Sequence, residues 1–90
     1  MSERAVAKLL EPGEYLVCYE LPRMSGLWGV LIAPSMASIQ VEYPELDIVE
    51  SLPTWMGEEQ LARLRAAPLW LDDDPPQGLL HALVAARERD

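Results

Sequence analysis

Cys18 and His81 are the only thiol and the only imidazole in the chain, so a Cys–His pair is the only such nucleophile and base it can assemble. Such a pair needs a thiol poised for deprotonation and a ring within hydrogen-bond reach of it. Cys18 stands in the middle of an alternating apolar stretch, the habit of a small buried hydrophobe with a raised pKa. His81 falls roughly 130° around a helix from that helix's apolar centre, which turns it to solvent. No catalytic residue is therefore expected. Asp72-Asp73-Asp74 offers hard oxygens to a divalent cation, but no glycine turn and no closing bidentate glutamate follow, as a calcium loop requires. Asp74, Pro75 and Gln77 read instead as a capping box at the start of a helix, and neither a metal nor a cofactor is expected.

The residues that remain suit recognition better than catalysis. Glu42, Glu45, Asp47 and Glu50 read as a solvated acidic face: on a strand Asp47 and the neighbouring Glu45 point to the same side, with no apolar pocket residue between them to raise a carboxyl pKa. Between Met24 and Asp74 there are nine acidic residues against Arg63 and Arg65, within a net charge of −8. A field of that sign attracts basic proteins and repels nucleic acids and anionic membranes. The same charge also serves plain solubility. Trp28 belongs to a strand core, whereas Trp55 and Trp70 stand beside turns, as lids on the core or as anchors for a partner. The expected partner-binding residues are Glu42, Glu45, Asp47, Glu50, Trp55 and Trp70.

Ninety residues, half of them hydrophobic, make one folded domain spanning 1–90 and leave little room for a large internal cavity. The longest apolar run, 27–33, is far below membrane-spanning length. The N-terminus does not read as a signal peptide, and a single cysteine suits a reducing compartment, so a cytoplasmic location is expected.

Residues 1–12 read as a loosely attached lead-in that ends at Pro12-Gly13. Residues 14–21 alternate as a strand with Tyr15, Val17, Tyr19 and Leu21 on the core side. A turn over 22–26 leads to a second strand, 27–33, that is apolar on both faces. Residues 36–43 carry both helical and strand periods; entry at Pro34-Ser35 and exit at Pro44 favour the helix. A short strand over 46–50, a helix from Glu58 with Leu61 and Leu64 inward, and a final helix with Leu79, Leu80, Leu83 and Val84 on its apolar flank complete the order. The expected class is α+β: a three-stranded sheet, made of a β-hairpin plus a split β-α-β unit, packed with short helices, two of them C-terminal.

The run Trp28-Gly-Val-Leu-Ile-Ala-Pro-Ser35, continued through a short helix to Tyr43-Pro-Glu-Leu-Asp-Ile-Val-Glu-Ser-Leu-Pro53, resembles the second half of ferredoxin-like dimeric α+β barrels of the muconolactone isomerase-like kind. The usual helix between the first two strands is replaced here by a turn, and two helical segments are added at the C-terminus. The resemblance implies half of a ferredoxin-like fold and a habit of dimerising through sheet faces; no catalytic residue of those enzymes maps onto this chain. Two functions follow as expectations. One is a non-catalytic domain that binds a basic protein surface, as an inhibitor or immunity protein does. The other is a homodimer that holds a small apolar molecule between sheet and helices, as an isomerase or monooxygenase-like enzyme.

Overall fold

A computed structural model describes residues 5–21 and 24–89. After a 3-10 turn at Val6–Lys8, the long strands β1 (Glu14–Leu21) and β2 (Met24–Ile32) form an antiparallel hairpin. Helix α1 (Met36–Glu42), strand β3 (Asp47–Ile48), helix α2 (Glu58–Ala66), strand β4 (Leu69–Trp70) and helix α3 (Gly78–Arg89) follow. The sheet order is β3-β1-β2-β4, with β3 antiparallel to β1 and β4 parallel to β2.

The α+β class is as expected, but the sheet has four strands where three were expected. The fourth is Leu69–Trp70, registered on Leu31 and Ile32. Two residues are too few for a period-two pattern to declare itself, and β4 exists only because Leu69 meets the apolar side of β2. The hairpin is also tighter than expected. β2 begins at Met24 and Gly26 lies inside it, not in a turn, while Pro22 and Arg23 of the expected turn lie outside the described residues.

Side-chain alternation splits the interior into two cores, one on each face of the sheet. Val17 and Leu31 pack with Ile39 and Tyr43 of the α1 region and with Leu80 and Leu83 of α3. On the other face Leu16 and Val30 pack with Val6, Leu52, Met56 and Leu61. β1 was expected to have one core side, yet Leu16 and Cys18 on its second side are as buried as Val17. Both faces of β2 are covered, as its two-sided apolar pattern requires, and the cover comes from the chain's own helices. The Val6 side chain is buried and its N–H donates to the Glu50 carbonyl at 2.8 Å, with Ala5 bridged to Ser51.

The start of α3 corrects the expected cap. The carbonyl of Gln77 accepts from the N–H groups of Leu80 and His81, so the helix opens at Gly78 and Asp74 is not its cap. A residue that precedes proline is pushed out of the helical region, so Pro75 before Pro76 cannot serve as the first helical position. Gly78 has a φ of +56°, open to glycine at little cost. Over β2, α3 comes so close that a Cβ on Gly29 would stand 3.0 Å from Leu79 Cδ2. Among the described residues no helix is long and apolar enough to cross a membrane.

Candidate interaction surfaces

The acidic run is strung along one margin of the sheet by local backbone bonds. The N–H of Tyr43 returns to Ile39 O at 2.7 Å and closes α1; that of Leu46 returns to Tyr43 O at 3.1 Å, turning the chain into β3. Asp47 then pairs with Cys18 of β1, and the Glu50 carbonyl is held by Val6. Glu42, Glu45, Asp47 and Glu50 are all exposed along this β3 side. Of the four, Glu45 is engaged: the Arg87 guanidinium grips its carboxylate through Nε and Nη2, donates from Nη2 to Glu42 O at 3.0 Å and lies 5.4 Å from the Tyr43 ring centre. That hydrogen bond holds the Glu45 carboxyl below its ordinary value. Burial, aided by Glu42, pushes the Tyr43 hydroxyl up against the opposing effect of Arg87; Asp73 and Glu45 also raise it. Arg87 therefore belongs to this margin, although it is remote in sequence from Glu42 and Glu45 and no local pattern announces it.

The tryptophans lie elsewhere. Trp28 projects from β2 towards the α2 layer. Trp55 stands in the turn before α2, 59% exposed, with its ring edge-on to Trp28 at 5.2 Å and 82°. Together with Gln60, Arg63 and Leu64 the pair forms a shallow groove of about 280 Å³, neither an enclosed pocket nor a neighbour of the acidic run. α2 is placed there by Leu61, which it buries, and by the Gly57 N–H donating to Gln60 Oε1 at 3.0 Å. Trp70, 48% exposed, sits on β4 at the opposite edge from Asp47. Three strand spacings, about 14 Å, separate those two edges. The six expected partner-binding residues thus fall into an acidic margin and two separate aromatic positions.

A larger cleft, about 560 Å³, opens where β1 begins, between the 3-10 turn, the segment after β3 and the start of α1. Glu14 stands in its wall. Its Oε1 accepts from the Glu11 N–H at 2.8 Å and from Arg65 Nε at 3.1 Å, with Arg65 Nη2 at 2.9 Å. Burial pushes the Glu14 carboxyl up, but the Glu11 N–H and the Arg65 guanidinium outweigh it and hold it below its ordinary value. No sequence pattern signals this cleft, because its walls come from four separated segments.

Cys18 and His81 are not brought together. Cys18 is buried on the α2 side of the sheet, and burial, with Glu20 and Asp47 beside it, raises its thiol pKa. His81 is exposed on α3, which packs on the other side. Among the described residues no three His, Cys, Asp or Glu side chains converge to hold a metal ion, Asp72, Asp73 and Asp74 included. Comparison with protein families, with curated proteins and with solved structures gives no significant match for this chain.

Proposed function

We propose that this chain is a non-catalytic interaction domain whose acidic β3 margin binds a basic surface on a protein partner, in the manner of an inhibitor or immunity protein. The observation that supports the reading is the exposure of Glu42, Glu45, Asp47 and Glu50 along one margin where, among the described residues, Arg87 pairs with Glu45 alone and reaches the Glu42 carboxylate only at longer range. β3 is only two residues long and carries charge, which discourages strand addition and leaves the carboxylates as the contact. Recognition then rests on long-range attraction followed by close pairing with Lys and Arg.

The test begins with capture of the partner from the native cell by the tagged protein and its identification by mass spectrometry. Association is then timed by stopped flow for the wild type and for the Glu42→Lys, Asp47→Lys, Glu50→Lys triple variant. The association rate should fall steeply as the Debye length shrinks from about 10 Å at 0.1 M salt to about 3 Å at 1 M, and the reversals should abolish binding. Binding that ignores both salt and the reversals, yet is lost with Trp55→Ala or Trp70→Ala, would instead assign recognition to the aromatic positions.

A further inference from the structure

We infer that the cleft at the start of β1 is a binding site for a small organic amine, an ammonium carried on an apolar body, which shares only Glu50 with the partner surface proposed above. Its volume, about 560 Å³, lies within the ~300–1,000 Å³ typical of small-molecule sites. Most of the lining is apolar, with Val6, Leu10, Tyr15 and Met36 among its walls. Among the described residues the charged groups in that lining are Glu11, Glu14 and Glu50, with no lysine, arginine or histidine.

The electrostatic balance chooses the ligand. Arg65 offsets one of the three carboxylates, so among the described residues the cleft keeps a surplus of negative charge beside apolar walls, where a charge pair is stronger than in open water. Glu14 is the anchor. Its side chain is only 16% exposed, and all its hydrogen bonds among the described residues fall on Oε1, which leaves Oε2 for an N–H donor from a ligand. An anion would be repelled, and a neutral molecule would leave the surplus uncompensated. A bare divalent cation needs its carboxylates to converge, and among the described residues no three His, Cys, Asp or Glu side chains do so.

The test is titration of the isotope-labelled protein with n-hexylammonium, followed by amide chemical shifts, beside hexanol, hexanoate and a short acetylated lysine peptide. Hexylammonium should shift Gly13, Tyr15 and Glu50 at about 10 mM or below, while hexanol and hexanoate should not. Glu14→Gln should weaken the binding by about tenfold, whereas Arg65→Gln, which breaks the same ion pair but keeps the Glu14 charge, should not weaken it. Thermal melts of both variants separate loss of the site from loss of the fold. The proposal is overturned by any of four results: no shift, shifts centred on the Trp28–Trp55 groove, equal binding of hexanol, or equal weakening by both substitutions. Binding of the lysine peptide without binding of hexylammonium overturns it too, by giving the cleft to a protein side chain.

Discussion

Ser35→Ala should destabilise the domain by about 1 kcal/mol, while Asp74→Ala should change it by no more than about 0.5 kcal/mol. The contrast is worked from the caps. α1 has seven residues, too few to stand alone in water, and its first N–H groups have no partners within the helix. Ser35 Oγ accepts the Ser38 N–H at 3.1 Å; in return Ser38 Oγ accepts the Ser35 N–H at 3.2 Å and donates to Ser35 O at 2.6 Å. Ser35 is exposed, so the substitution removes the cap bond and little packing. Asp74 is equally exposed but lies four residues ahead of α3, where no helical N–H needs it. For a chain of this size 1 kcal/mol corresponds to roughly 4–8 °C in Tm. Calorimetric melts at neutral pH should show that drop for Ser35→Ala, a similar one for Ser38→Ala, and less than the sum for the double variant, because the bonds are reciprocal. A wild-type melt for Ser35→Ala together with a drop of several degrees for Asp74→Ala would refute the placement of both caps.

Three further outcomes are expected. Gly29→Val should cost about 1–3 kcal/mol by overpacking against Leu79 and Leu69, seen as a lower urea midpoint with unchanged slope; Gly29→Ala, which meets only the mobile ends of those leucines, should cost less. Arg87→Ala should cost about 0.5 kcal/mol near pH 7, since the ion pair is well exposed. Because Arg87 lowers the Glu45 pKa, the pair's contribution is complete above the unfolded carboxyl value and is lost as pH falls through the lowered one. Wild type and variant should therefore converge at about pH 2, and a gap that persists in urea titrations there would trace the loss to packing on Tyr43. The Cys18 thiol should be labelled slowly by maleimide in the native protein and rapidly in denaturant; rapid native labelling would contradict its burial.

The parts of the fold that were legible in the sequence are those whose apolar pattern runs over several residues. Tyr15, Val17 and Tyr19 alternate long enough to mark a strand, the two apolar sides of β2 imply cover on both faces, and Pro34-Ser35 and Pro44 bracket α1. β4 was hidden because a two-residue strand takes its identity from its neighbour and not from its own pattern. The cap at Asp74 was misread because Pro75 alone would start a helix, whereas Pro75 followed by Pro76 postpones it. In the candidate surfaces, the exposure of the acidic run could be read from its composition, while the turn beside Trp55 left a core lid and an exposed anchor both open. Arg87, the partner of Glu45, and the Glu14 cleft could not, since each depends on segments that only the tertiary fold brings together.

The helices alternate between the faces of the sheet in chain order: α1 on one, α2 on the other, α3 back on the first. The α2-side core draws on residues from Val6 to Leu61, whereas the opposite core needs Leu79, Leu80 and Leu83. A nascent chain that has been made only as far as β4 can close the first core but leaves the other face of the hairpin, with Val17 and Leu31, covered by the α1 region alone and open where Leu79, Leu80 and Leu83 belong. Completion of the fold therefore waits for the last helix to leave the ribosome. A chain stopped before Leu79 would display part of an apolar sheet face to chaperones and proteases.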